Sequence, residues 1–272
     1  MKATSLLFLL FSITSLSIFA QDTEYVIGKP DETEKKEFKK PTELDSNAIP
    51  NPDYTAYFLN ATAYSLDKKK IRLSGTDIIF IKASYGITNT TMASVNISAF
   101  GTVTGSVKQQ INLSDYVKAG ASVSGGRIFY NASDGSNNQP YTDSSIYMGG
   151  GQVMLTLGDK QDNLTIGSGF YYVKSKLDLA GQGPESFYLN TIYVGFQKQI
   201  GKRFYIMAEG MYFINYQVFT GAAGVKFVMG DRMSLNFGIM PFGGNDPSTN
   251  KTYVAPVAIP LISFRLLLGR DR

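Results

Sequence analysis

The chain contains no cysteine, no histidine and no tryptophan. Without cysteine there are no disulfides, no thiolate metal sites and no lipid anchor on a cysteine. Without histidine, the general base common in hydrolases is missing, and with both residues absent the usual zinc and haem ligands go too. Ser–Lys or paired-carboxylate chemistry stays formally open, but nothing brings two acids together. Only Asp77 and Glu209 lie well inside strand-like stretches, and Asp77 falls on a locally apolar face beside Gly75, where a bulge could re-aim it. An enzyme is therefore the least favoured class, and no cofactor or metal is expected. Also lacking, beyond residue 20, is any run near the roughly 20 apolar residues that a membrane-spanning helix needs. The net charge of +4 is small, and no concentrated basic patch accompanies it, so nucleic acid is not an expected partner.

What is present begins with a basic start at Lys2, an apolar stretch from Leu6 to Phe19 and a small residue, Ala20. Residues 1–20 read as a secretory signal peptide with cleavage near Ala20. Residues 21–54 carry the segment DETEKKEFKKPTELD, dense in charge of both signs and poor in large apolar residues. Such a segment cannot bury enough surface to offset its ordering entropy, so it is expected to be a mobile, disordered periplasmic extension. Its functional alternatives are a plug that folds back on the rest of the chain, or a docking arm for a periplasmic or surface partner.

From about residue 55 to 272 the pattern has a period of two. Met233, Leu235, Phe237 and Ile239 share one face against Ser234, Asn236 and Gly238. Leu164, Ile166, Phe170 and Tyr172 lie opposite Asn163, Thr165, Gly167 and Gly169, and Ile192, Val194, Phe196 and Ile200 lie opposite Thr191, Gly195, Gln197 and Gln199. The test yields twelve spans: 56–67, 71–87, 92–102, 106–113, 116–130, 146–158, 163–174, 187–200, 203–215, 219–229, 232–242 and 254–269. If 56–67 and 106–113 fail, the count falls to ten. Short polar turns (Thr88–Thr91, Ser114–Asp115, Gly158–Asp162, Gly201–Arg203, Gly230–Arg232) alternate with connections at Lys68–Lys70, Thr102–Gly105, Asn131–Ser145, Ser175–Ser186, Tyr216–Val218 and Gly243–Tyr253. Three of the latter are long and polar.

An even number of long antiparallel strands, short turns at one end and longer loops at the other describe an up-and-down transmembrane β-barrel of the bacterial outer membrane, an all-β fold. The spans mostly reach the 9–11 residues that a tilted membrane strand needs. A soluble protein would have to cover the apolar face with a second layer, and no amphipathic helix is evident after residue 56. Outer-membrane lipid is then the partner of that face. The 17 Tyr and 18 Phe include many Tyr near strand ends (Tyr85, Tyr116, Tyr130, Tyr147, Tyr172, Tyr188, Tyr205, Tyr212), where aromatic girdles sit.

Short elements carry a resemblance. Thr62-Ala63-Tyr64-Ser65-Leu66, then Lys70-Ile71-Arg72-Leu73 and Tyr85-Gly86-Ile87-Thr88, resemble the opening of Bacteroidetes-type outer-membrane β-barrel proteins of unassigned function. Asn89 stands where those proteins usually have Asp, and both residues favour turns. Leu164-Thr165-Ile166-Gly167-x-Gly169 and Pro260-x-x-Ser263-Phe264-Arg265 are similar to the same group. The ending Leu268-Gly269-Arg270-Asp271-Arg272 departs from the terminal aromatic residue frequent in such barrels. The resemblance implies location and fold, and no activity or site residue comes with it.

By parity Lys82, Lys108, Lys118, Lys226 and Arg265 fall on the polar, lumen-facing side with one acid, Glu209. A narrow tube lined by cations favours anions. The leading expectation is a passive, porin-like narrow pore for small solutes of unknown identity, with weak anion preference. The alternatives are a scaffold barrel that binds partners through its tail or loops, and a transporter of apolar molecules, which would need an apolar interior and a plug.

Overall fold

The computed structural model describes residues 49–77, 80–99, 101–129, 145–175, 186–246, 251–254 and 259–269. The expected leader, most of the charged extension, Tyr130 and the loop residues 131–144 and 176–185 lie outside the described residues.

The wall is a closed antiparallel ring of twelve strands. Eleven run in sequence order: β1 (Ile71–Thr76), β2 (Phe80–Gly86), β3 (Thr91–Ser98), β4 (Thr102–Asn112), β5 (Val117–Phe129), β6 (Ser145–Gly158), β7 (Asn163–Ser175), β8 (Ser186–Gln199), β9 (Phe204–Phe213), β10 (Val218–Met229) and β11 (Met233–Met240). Beyond β11 come β12 (Phe242–Asp246) and β13 (Lys251–Val254), and β14 (Ile259–Leu268) is the twelfth wall strand. It pairs with β11 on one side and β1 on the other, so no edge is left open. Past Pro241, β12 pairs with the outer part of β10 and with β13, so the last long loop continues the sheet as a ribbon.

The alternation expected from the sequence is the alternation of the wall. Ile81, Val95, Ile97, Val123, Val153, Ile166, Ile192, Ile239 and Ile262 point outward and are about half or more exposed. Their sequence neighbours point inward and are mostly Ser, Thr, Gly, Asn and Gln. This outward apolar surface is what a hydrocarbon solvent requires and water does not tolerate on this scale. Tyr85, Tyr116 and Tyr188 are exposed near strand ends. Tyr205 is not part of a girdle: it points inward and is fully buried.

Three expectations about the wall are corrected. Span 56–67 is not a wall strand; it lies inside the barrel. Span 71–87 is two strands, divided at Asp77. That residue takes a left-handed conformation (φ 52°), accessible to Asp without a glycine. Its N–H donates to Ile262 O and its Oδ1 accepts from Ile262 N, both at 2.8 Å, which pins the turn to β14. No bulge re-aims Asp77. The connection expected at Thr102–Gly105 lies within β4, which starts at Thr102 after β3 has ended at Ser98, with Gly101 N donating to Ser98 O at 3.1 Å. Lys68–Lys70 is the bend through which the chain leaves the lumen and enters β1, with Lys69 at φ 65°.

The turns at residues 87–90, 113–116, 159–162, 200–203 and 230–232 lie at one end, together with the start of β1 and the end of β14, since Ile71 faces Leu268. Side chains close two of them. Thr88 Oγ1 accepts the N–H groups of Thr90 and Thr91, and Asp159 Oδ1 accepts those of Gln161 and Asp162.

Candidate functional site in the lumen

A backbone segment inside a barrel has no sheet to join, so its polar groups must find other partners. Residues 49–67 solve this as a hairpin laid into the short-turn half of the lumen. The chain comes in at the rim, where Tyr205 and Lys202 hold Ile49, and Asn51 donates to Lys160 O at 3.0 Å. It turns at Phe58–Leu59 and returns to the same rim at Asp67. Its two arms are joined by Tyr57 N to Asn60 O (2.9 Å), Thr62 N to Thr55 O (3.1 Å) and Thr62 Oγ1 to Tyr54 O (2.8 Å). Most of residues 51–66 are buried.

The wall supplies donors and acceptors to this hairpin. Glu209, at mid-height on β9, accepts the N–H groups of Leu59 (2.7 Å) and Asn60 (2.8 Å) and so caps the tip. Arg265 donates to the carbonyls of Ala56, Tyr57 and Phe58. Lys108 donates to the carbonyls of Thr55, Thr62 and Tyr64. Thr156 Oγ1 accepts Ala63 N at 2.8 Å, and Gln110 Oε1 accepts Ser65 N at 2.7 Å. The Tyr57 hydroxyl donates to Asn163 Oδ1 (2.7 Å) and lies 2.8 Å from Thr165 Oγ1. At the tip, Phe58 packs with Met207, Ala222, Met240 and Leu261.

Below the tip is a buried charge cluster. Asp53, fully buried, meets Arg72 at 3.0 Å, Lys226 at 3.4 Å and Arg265. Lys226 also donates to Asp53 O and Gln197 Oε1, each at 2.9 Å. Burial would push the Asp53 carboxyl up, but Arg265, Lys226 and Arg72 together hold it below its ordinary 3.8. At the rim, Asp67 pairs with Lys160 at 3.0 Å and Lys70 at 3.5 Å. Partial burial pushes its carboxyl up, but Lys160, Lys70 and the Tyr54 hydroxyl together hold it below its ordinary 3.8. Burial pushes the phenols of Tyr54, Tyr57 and Tyr64 up, so they remain neutral.

Of the six residues picked out by parity, four touch the hairpin: Lys108, Lys226, Arg265 and Glu209. Lys118 sits at the short-turn rim, its ammonium on Ser114 O at 2.7 Å. Lys82 is half-buried on β2, and its ammonium makes no hydrogen bond or ion pair among the described residues. Sequence reasoning missed Asp53, placed in the extension, and Arg72. The signal was present: 51–66 loses the charge of 31–45 and gains Tyr54, Tyr57, Phe58 and Tyr64. Among the described residues no three acidic side chains converge to hold a metal.

No protein-family model and no curated protein sequence matches the chain. Solved structures of similar shape include a KdgM porin in complex with disordered oligogalacturonate (TM-score 0.39, 10% identity, 72% of this chain and 96% of that one). Others are the translocator domain of the autotransporter NalP from Neisseria meningitidis (0.42, 9%, 72% and 86%) and the NanC porin (0.40, 14%, 73% and 97%). Likeness at this level transfers no function, and no family is assigned by it.

Proposed function

We propose that the protein is exported, loses its leader near Ala20 and resides in the bacterial outer membrane as a narrow, passive conduit for small solutes, occluded on its periplasmic side by its own hairpin. The observation that carries this reading is the pairing of an apolar exterior with a polar lumen, across which residues 49–67 are strapped by buried charges. A weak anion preference belongs to the same proposal. Among the described luminal side chains, Arg72, Lys82, Lys108, Lys226 and Arg265 face only two carboxylates, Asp53 and Glu209, and the surplus is positive. The kinship with Bacteroidetes-type barrels and a partner that reaches the segment ahead of Ile49 are parts of the proposal as well. No catalytic activity is included.

Membrane fractionation followed by planar-bilayer recording tests the reading. Recovery with outer membranes and small, chloride-favouring currents support it. A protein that stays monodisperse without detergent contradicts it. The transporter reading draws on a different observation. Toward the long-loop end the inner wall carries Ile128, Ile146 and Val173, packed with Met148, Phe187 and Leu189. That apolar patch and the hairpin are the two features such a transporter needs. Uptake of an apolar dye in the absence of ionic current would favour it.

A further inference from the structure

The tip of the hairpin packs toward β9, β10, β11 and β14. Inward side chains on the strands that the hairpin presses against, such as Thr165, Gln197, Met207, Asn236 and Ser263, are almost completely covered. On β1–β5 the hairpin's base covers Arg72, Ser84, Ser94 and Lys108, but above them Ser74, Lys82, Asn96, Thr104, Ser106 and Ser124 are only half-buried. These side chains are contiguous. Lys82 faces Ser74 across β1 and Asn96 across β3, and Asn96 faces Thr104 across β4. The result is a polar recess above the hairpin's base, lined by hydroxyls and one amide, with a single charge at its middle.

That charge differs from the other luminal cations. Arg72, Lys108, Lys226 and Arg265 are spent on Asp53 and on hairpin carbonyls. The Lys82 ammonium has no hydrogen bond and no ion pair among the described residues. A strongly hydrated point charge flanked by Ser and Asn donors suits a small oxyanion such as a phosphate or a carboxylate.

We propose that the Ser74–Lys82–Asn96–Thr104 row is a binding subsite for small oxyanions and that Lys82 sets the charge preference of the conduit at that height. The inference rests on the conduit reading and deepens it. Lys108 and Arg265 hold the hairpin, and Lys82 meets the solute.

The test is the reversal potential across a planar bilayer under a KCl gradient, for the wild type, Lys82→Gln, Lys82→Glu and Lys82→Arg, with Lys118→Gln as a rim control. Inorganic phosphate is then added as a blocker of the chloride current. Expected are chloride preference in the wild type and in Lys82→Arg, parity in Lys82→Gln, cation preference in Lys82→Glu, and no change in Lys118→Gln. Phosphate block is expected to be lost in Lys82→Gln. Current whose selectivity is the same in all Lys82 variants overturns this inference and leaves the conduit standing. A folded wild-type barrel that carries no current removes both.

Discussion

The ring of Tyr57 lies over Gly195 so closely that a Cβ on Gly195 would stand 2.5 Å from it. Wall and hairpin fit only because that position has no side chain. Gly195→Val leaves the outward face of β8 untouched and forces the ring away. Overpacking of this kind costs about 1–3 kcal/mol, here charged to the seated hairpin. The variant should form heat-modifiable barrels like the wild type and show larger single-channel conductance. Unchanged conductance would mean that Tyr57 moves aside without unseating the hairpin.

Asp53→Asn removes the one carboxylate shared by Arg72, Lys226 and Arg265. Deleting one partner of a buried ion pair costs about 3–5 kcal/mol, because the remaining charges lose their compensation. The wall keeps its own ladder, so the loss should fall on the hairpin. Amide exchange in residues 49–67 should speed up on the order of a hundredfold or more, with strand amides little changed. Exchange that rises equally in the strands would show that the cluster holds the barrel itself.

Protonation of Asp53 acts in the same direction. Its carboxyl is held below 3.8 in the seated hairpin, so the stabilisation is complete above that value. It is lost as pH falls below 3.8 through the seated value. Conductance should rise in solution more acidic than the ordinary carboxylate range, with Asp53→Asn open throughout. An opening that follows alkaline pH would contradict this assignment.

The barrel was legible because lipid imposes a period of two on every span that faces it. The spans read as 163–174 and 187–200 are β7 and β8 to within a residue or so at each end. Two features escaped for physical reasons. The Asp77 turn carries no Gly or Pro, and its left-handed residue is stabilised by β14, which is remote in sequence. Residues 56–67 alternate only loosely, because a luminal hairpin is packed on both faces and meets polar and apolar walls at once. The twelve-strand total was preserved because the one span lost and the one span divided offset each other. The cations were found by parity, but their partners were not. Glu209, Lys108 and Arg265 serve backbone groups, which a sequence pattern does not display.

Glu209→Gln tests the cap at the hairpin tip. It keeps an acceptor for Leu59 or Asn60 but loses the charge and sets an amide N–H₂ against the second backbone N–H. A charge-assisted bond of this type contributes about 1.5–3 kcal/mol. The variant should show intermediate amide exchange at Leu59 and Asn60, between the wild type and Asp53→Asn. Protection equal to the wild type at those two amides would remove Glu209 from the seat.

The absence of native cysteine makes the most direct measurement clean. A Cβ on Gly120 would lie 3.3 Å from the Cβ of Ala63, close to the separation that a disulfide bridges. The double variant Ala63→Cys, Gly120→Cys should cross-link upon mild oxidation in outer-membrane preparations, with conductance held low until a reductant is added. A pair that stays reduced while the barrel is folded would place residues 49–67 outside the lumen and contradict the account.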